Sequence, residues 1–309
     1  MRISGWRRLA VVGVAVVLAW LIVSAVVAWK LTGRPRPWFA EPAPVWEGIA
    51  VEDCRLKTSD GQEIGAWFLP TDEHRTGVVV VHGLGGSRSG STEKIQRIRL
   101  LGYSVLAISA RAHGDSSGDR NDAGYSSRRD VHAAVEFLRQ KRPGRPVVVL
   151  GASLGSVAAI FDASDSRGAV QGYFLEAPYR DLNTAVWNRV EMRLPTPLSH
   201  IGYAGLRLWT PVFVSDAAAI RPVERIADIP ENVPVVIVAS EADRHARIEE
   251  ARELYSRIQS HGRLVVVPDA PHCGVFGRYP ERYMQALARL LEEVETRTHQ
   301  VPTPPLPPP

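Results

Sequence analysis

The sequence predicts an α/β protein with a mostly parallel central sheet, helices on both faces and a transmembrane helix at the amino terminus. Short apolar runs alternate with helical stretches along residues 77–298, which is typical of a parallel sheet. Residues 9–29 contain no charged side chain, as a membrane-spanning helix requires. A chain of 309 residues with 45% hydrophobic content can form one such domain and its appendages.

The amino-terminal apolar segment predicts an uncleaved membrane anchor, with residues 1–30 as leader and anchor. A helix over residues 9–29 rises about 30 Å, enough to cross the hydrocarbon core of a bilayer. The alternative is a cleavable signal peptide with Val26 and Ala28 at its cleavage site. Such peptides usually have an apolar region of only about 7 to 15 residues, which favours the anchor.

The basic residues on the two sides of the anchor predict its orientation. Three arginines precede the span and three basic residues follow it: Arg2, Arg7, Arg8, Lys30, Arg34 and Arg36. The free α-amino group adds part of a charge to the first flank, and prolines stiffen the second. We therefore expect the amino terminus in the cytoplasm and the folded domain outside it.

The net charge of +4 does not indicate a nucleic-acid partner. Residues 1–40 hold the six basic residues and no acid, so the rest of the chain is slightly acidic. The two cysteines, Cys54 and Cys273, lack the spacing of a metal site or a disulfide framework and are expected to be free thiols. We expect no nucleic-acid partner, no metal and no cofactor.

After the anchor, residues 31–47 predict a proline-rich linker that holds the domain away from the bilayer, and residues 48–298 form the domain. The runs IAVEDCRLKT and EIGAWFLP predict an antiparallel pair of strands. Strands buried on both faces are predicted in GVVVVHG, YSVLAISA, PVVVLGA, VQGYFLEAP, VPVVIVAS and GRLVVVPDA. Helices are predicted in TEKIQRIRLLG, SSRRDVHAAVEFLRQK, ARIEEARELYSRIQS and PERYMQALARLLEEVETR. The tail, residues 299–309, is expected to be extended and disordered.

Residues 179–228 are too long for a bare connector and predict a small helical cap over the site. The segment is rich in aromatic and aliphatic side chains, including Trp187, Tyr203 and Trp209. Some of these pack on the body of the domain. A cap of this composition favours a small acyl substrate with an apolar group.

The stretch VVVLGASLGS predicts a nucleophile at Ser153. Ser153 follows a buried strand and opens a helix of small residues, so it lies on a sharp turn that exposes its hydroxyl. Gly151 and Gly155 remove side chains that would collide with the neighbouring strand and helix. The alternative is an ordinary serine N-cap between two packing glycines.

A serine nucleophile needs a histidine base and an acid that orients it. His272 follows the last predicted strand, where it can lie over Ser153, whereas His132, His245 and His261 have the contexts of surface residues. Asp243 follows the penultimate strand and is the preferred acid. The open alternatives for the acid are Glu176, Glu241 and Asp269.

Catalytic triads occur in several unrelated folds, and the order of the three residues along the chain differs among them. The order serine, acid, histidine is found in one of these folds. With HGLGG, RAHGDSSG, GASLGS, SEADRHA and APHCG, residues 48–295 resemble the α/β-hydrolase superfamily, and most closely its membrane-anchored serine hydrolases with a short cap. The resemblance implies an α/β-hydrolase fold. This chain has Ala239 and Ser240 where such relatives commonly have a histidine-glycine-like pair, which affects the loop shape but not the acid.

Oxyanion stabilisation is expected from the backbone N–H groups of Leu84 and Leu154, the latter directly after the nucleophile. By the same resemblance, His82 and His113 brace the glycine-rich loop and take no part in the triad.

The predicted activity is hydrolysis of an ester, thioester or related acyl bond through Ser153, Asp243 and His272. The alternatives are a catalytically silent binding module tethered to the membrane and a serine peptidase. A serine in this position argues against relatives that displace halide or open epoxides, which use a carboxylate there.

Overall fold

The computed structural model describes residues 5–71, 73, 75–166 and 168–300. Within these residues the strands form one eight-stranded sheet in the order β1-β2-β4-β3-β5-β6-β7-β8. Their bounds are β1 Glu52–Lys57, β2 Glu63–Leu69, β3 Gly77–Val81, β4 Ser104–Ile108, β5 Val147–Ala152, β6 Gly172–Glu176, β7 Val235–Ser240 and β8 Gly262–Val267. Of the predicted tail, residues 299–309, the first two lie in the last helix, and the part from residue 301 onward lies outside the described residues.

The strand directions confirm the predicted sheet. β1 pairs antiparallel with β2, β2 pairs antiparallel with β4, and every pair from β4 to β8 is parallel. One expectation is wrong in detail: β8 was expected to be buried on both faces, but four of its residues are only half-buried. The reason is its position at the edge of the sheet, where it has a single neighbour.

Helices cover both faces of the sheet, because alternate residues of each buried strand point to opposite sides. The helices outside the cap are α1 Gly5–Leu31, α2 Thr92–Leu100, α3 Arg128–Lys141, α4 Leu154–Asp165, α8 Ile248–Ser256, α9 Val275–Arg278 and α10 Pro280–Gln300. On one face, α3, α4 and α8 share a buried apolar cluster with Val79 and Val149. On the other, α2 and α10 share one with Val78 and Val148.

The insertion between β6 and β7 is helical. It contains α5 Leu182–Glu191, α6 Leu198–Phe213 and α7 Pro222–Arg225, with short 3-10 turns at Ala217–Ala219 and Ile226–Asp228. Helix α5 packs on α6, and α6 packs on α1. The predicted cap boundaries, residues 179–228, stay a prediction.

The segment predicted to be a free linker is packed against the domain. Arg34 donates hydrogen bonds to the carbonyls of Gly114, Ser116 and Gly118 at 2.6–3.1 Å. Glu41 is buried and bonds the guanidinium of Arg88. Buried ion pairing therefore fixes the segment to the folded domain, and its role in holding the domain away from the bilayer stays a prediction.

Candidate active site

Ser153 lies in the turn between β5 and α4, at a backbone φ of 48°. A positive φ is rare for serine and typical of a tight turn between strand and helix. This backbone conformation is unfavourable in free energy and persists only where the surrounding structure holds it. The Ser153 N–H donates to the carbonyl of Glu176 at 2.8 Å. A Cβ on Gly155 would lie 2.5 Å from the Val81 carbonyl oxygen, and one on Gly151 would lie 2.5 Å from the Gly155 backbone. Both positions therefore require glycine, as expected from the sequence.

The structure brings Ser153, His272 and Asp243 together in one chain of hydrogen bonds. His272 Nε2 lies 2.9 Å from Ser153 Oγ, and His272 Nδ1 lies 2.7 Å from Asp243 Oδ2. Because a carboxylate only accepts, Nδ1 carries the proton and Nε2 is left to accept from the serine hydroxyl. This is the arrangement that activates a hydroxyl nucleophile.

Asp243 remains ionised although it is buried. Burial raises its pKa, but the hydrogen bond from His272 and those from the N–H groups of His245 and Ala246 outweigh it and hold the pKa below its usual value. Those two N–H groups lie 2.8 and 3.1 Å from Oδ1. One carboxylate oxygen is thus fixed by the backbone, which leaves the other to face His272.

The alternative acids have other partners. Glu241 is exposed, and Asp269 pairs with Arg278 at the surface. Glu176 is fully buried; its carboxylate accepts from Lys94 Nζ at 3.2 Å and from the Val275 N–H at 3.1 Å.

Lys94 forms a buried ion pair that was not expected from the sequence. Through Glu176 it connects α2 to the first residue of α9, directly after the loop that carries His272. Lys94 lies four residues before the buried Ile98, so helical periodicity already puts it on the inner face of α2. A lysine on that face needs a buried carboxylate, and Glu176 supplies it.

His245 was expected to be a surface residue, and the structure corrects this. Its ring stacks on that of His272, with the ring centroids 4.8 Å apart. Burial lowers the pKa of His245 most, and the nearby His272 and Arg189 lower it further. Its carbonyl accepts from Asn188 of α5 at 3.1 Å, which ties the cap to the site. The signal available in the sequence was its spacing, two residues after Asp243.

Among the described residues, Asp243, His245 and His272 are the group whose donor atoms are close enough to hold a metal ion, within 4.8 Å of one another. Two of these donors are already hydrogen-bonded to each other, and the outer nitrogen of His272 faces Ser153. These donor atoms are therefore better suited to the hydrogen bonds that they make with one another and with Ser153 than to binding a metal ion.

The glycine-rich loop that carries Leu84 lies against Ser153. A Cβ on Gly83 would lie 3.5 Å from both Ser153 Cβ and Cys273 Sγ. Leu154 is the first residue of α4, so its N–H has no acceptor within the helix. The structure thus puts both predicted oxyanion donors on segments that border the serine.

His82 and His113 brace this loop through fixed tautomers. His82 Nε2 accepts from the Ala110 N–H at 3.0 Å while Nδ1 donates to the Gly83 carbonyl at 2.7 Å. His113 Nε2 accepts from the Gly85 N–H at 3.1 Å. Both rings must be neutral to accept, and burial lowers both pKa values, that of His82 to about 3.

Two comparisons bear on the family. A family model described as serine aminopeptidase, S33, matches residues 72–203, which include Ser153 but neither Asp243 nor His272. The structure is similar to the esterase Pf2001 of Pyrococcus furiosus, with a TM-score of 0.65 and 22% identity, covering 83% of this chain and 98% of the esterase. The structure has the α/β-hydrolase fold, and the family model matches its part that contains Ser153.

The chain also has relatives by sequence. It is 26% identical to protein Rv2307c of Mycobacterium tuberculosis over 281 residues, which cover 88% of this chain and 90% of the relative. It is 30% identical to human monoglyceride lipase over 148 residues, 46% of this chain and 48% of the lipase. The match to the family model and the similarity to the lipase support hydrolase activity.

Proposed function

We propose that this α/β-hydrolase is a membrane-anchored serine hydrolase that cleaves ester, thioester or related acyl bonds, carboxylic esters foremost. The observation that carries the proposal is the unbroken chain of hydrogen bonds from Asp243 through His272 to Ser153, at 2.7 and 2.9 Å. Relatives named as an esterase and as a monoglyceride lipase support the same bond class.

In the proposed mechanism, Ser153 Oγ attacks the acyl carbon while His272 Nε2 takes the hydroxyl proton. The Asp243 carboxylate stabilises the imidazolium that forms, and Nε2 then protonates the leaving oxygen or sulfur as the acyl bond breaks. A water molecule next attacks the acyl-enzyme with the same base, which releases the acid and restores Ser153.

Negative charge develops on the acyl oxygen in both steps. The N–H groups of Leu154 and Leu84 are the proposed donors to that oxygen, the first because it is free at the start of α4. Losing one donor of this kind typically costs about 10²–10³-fold in kcat.

The substrate is proposed to carry an apolar group. Val157, Phe161 and Tyr179 form an apolar cluster with the first turns of α5, and the partly buried Cys273, next to His272, packs against it. Burial of such groups around a reacting acyl chain would add binding energy in proportion to the apolar area covered.

A serine peptidase is the second candidate, since the matching family model is described as a serine aminopeptidase. A panel of p-nitrophenyl esters of increasing chain length, run beside thioester and amide analogues of matched acyl groups, separates the two. We expect kcat/KM to rise with chain length and esters to exceed amides by at least tenfold. Faster cleavage of amides would favour the peptidase, and no turnover in any series would favour a silent binding module.

Helix α1 is proposed to be an uncleaved anchor. Residues 6–31 are long and apolar enough to span a bilayer, with a mean hydropathy of 2.8 and almost no burial. Ala28, at the alternative cleavage site, is buried with Val190 and Leu206 of the cap helices, so α1 is part of the folded structure. We propose that the domain lies outside the cytoplasm; protection from protease in intact spheroplasts would contradict this orientation.

A further inference from the structure

Helix α6 lies along the carboxyl-terminal half of α1 as a parallel neighbour. The Trp20 indole N–H donates to the Ile201 carbonyl at 3.1 Å, and that of Trp209 donates to the Leu21 carbonyl at 3.0 Å. A Cβ on Gly205 would lie 2.1 Å from Ser24 Oγ, so the backbones approach closely. Small residues at a close crossing, with the indole N–H groups of Trp20 and Trp209 satisfied by the partner helix, are typical of helix pairs within a bilayer.

The length of α1 determines where this contact lies. A span that starts at Leu9, after Arg8, needs about 20 residues to cross the hydrocarbon and so extends to about Ala28. The free part, residues 9–19, rises only about 16 Å, roughly half of that thickness. If α1 crosses the bilayer, residues 20–28 lie within the hydrocarbon, and the turns of α6 packed beside them share their depth.

The outer side of α6 suits that environment. Four large apolar residues on it are 51–65% exposed: Leu198, Ile201, Leu208 and Val212. Trp209 and Phe213 pack toward α1, and each directly follows a residue of the stripe, Leu208 or Val212. The apolar stripe therefore borders the contact with α1. The stripe is therefore continuous with the exposed apolar surface of the anchor.

Polar contacts mark the end of the apolar zone. Arg120 donates to the Trp29 carbonyl and to Thr32 Oγ1 at 3.2 and 2.7 Å, where α1 ends. Arg207 of the α5–α6 hairpin is exposed, and its long side chain can extend toward the headgroup phosphates.

We propose that α6 is immersed in one leaflet of the bilayer beside α1, with phospholipid acyl chains covering the apolar stripe. This inference rests on the proposed anchor. The occupant of the stripe is lipid, because the stripe is continuous with the spanning helix. At the depth of residues 20–28 its surroundings are acyl chains. Since Asn188 of α5 bonds His245 beside the candidate triad, the immersed hairpin holds the site at the membrane surface.

The test uses the full chain in phosphatidylcholine and phosphatidylglycerol nanodiscs. The photoreactive residue p-benzoylphenylalanine is introduced separately at Ile201 and Leu208 on the stripe, at Val14 of the anchor and at Arg252, an exposed residue of α8. After irradiation, mass spectrometry of the labelled peptides measures phospholipid adducts. We expect adducts at Ile201, Leu208 and Val14, each at least tenfold above those at Arg252.

The control at Val14 separates a failure of the inference from a failure of the anchor. Lipid adducts at Val14 with none at Ile201 or Leu208 would overturn the immersion of α6 and leave the anchor intact. Adducts from Leu208 to a second copy of the chain would assign the stripe to a protein contact and overturn the proposal. Absence of lipid adducts at Val14 as well would overturn the anchor and, with it, the immersion.

Discussion

Asp243 is proposed to hold His272 in the one tautomer that can accept the serine proton. Asp243→Asn replaces an acceptor-only group with an amide that can donate, so the imidazole would turn its unprotonated nitrogen toward residue 243. We expect kcat to fall about 10³–10⁴-fold with little change in KM. Steady-state kinetics on the best p-nitrophenyl ester measures this.

The matched control is Glu241→Gln, an exposed carboxylate two residues away, which should leave kcat within about twofold. A large loss in Glu176→Gln with a normal Asp243→Asn variant would refute the assignment of the acid. A loss in both would be consistent with the assignment only if Glu176→Gln also lowered stability, since that carboxylate is buried against Lys94.

His82 links stability to pH. Its pKa is about 3 in the folded protein, against about 6.5 in an unfolded chain, so the unfolded state binds one more proton between these values. The stabilisation from burying the neutral ring is complete above pH 6.5 and is lost as the pH falls toward 3, at about 1.4 kcal/mol per pH unit. His82→Gln should remove this part of the dependence.

Urea unfolding of the two proteins at several pH values between 4 and 7.5 measures the difference. The advantage of the wild type over His82→Gln should shrink as the pH falls. An advantage that is constant over this range would mean that His82 is not held neutral in the fold.

At the level of single residues, the sharp turn at Ser153 was predictable because it leaves a local pattern of strand, serine, glycines and helix. The choice among Asp243, Glu176 and Glu241 is less local, since it depends on which carboxylate the fold turns toward His272. Periodicity puts Lys94 on the inner face of α2, and spacing puts His245 beside Asp243. Their partners, Glu176 and His272, are distant in sequence, so these contacts were missed.

Among the elements, the segment before β1 is fixed by a buried ion cluster. The Arg88 side chain is 0% exposed and contacts Glu41 at 3.1 Å and Asp115 at 2.6 Å. Removing one partner of a buried pair leaves charges uncompensated, so Arg88→Ala should lower the free energy of unfolding by about 3–5 kcal/mol. Urea unfolding in detergent measures the change.

Arg55→Ala is the matched control. It removes the second arginine that pairs with Asp115. Because the Arg55 side chain is 47% exposed, the free energy of unfolding should fall by less than about 1 kcal/mol. Equal effects of the two changes would mean that the cluster does not hold the segment. The local sequence predicts a linker here because prolines dominate it, whereas the partner of Glu41 lies 47 positions away.

At the scale of the whole molecule, the fold was predictable because its parallel strands are continuous apolar runs separated by helical periods. The two core layers follow from strand alternation alone. The position of the domain relative to the anchor was not predictable. It depends on the contact between α1 and α6, two helices whose contacting residues are about 180 positions apart, and on backbone packing between Ser24 and Gly205.

The central claim is that Ser153 is the covalent nucleophile, and labelling with a fluorophosphonate probe tests it most directly. The full chain in detergent should take up one probe, and peptide mass spectrometry should locate it on Ser153. Ser153→Ala should abolish labelling, while Ser164→Ala, a serine in the same helix α4, should label normally. Labelling that persists in Ser153→Ala, or that maps to another residue, would contradict the account.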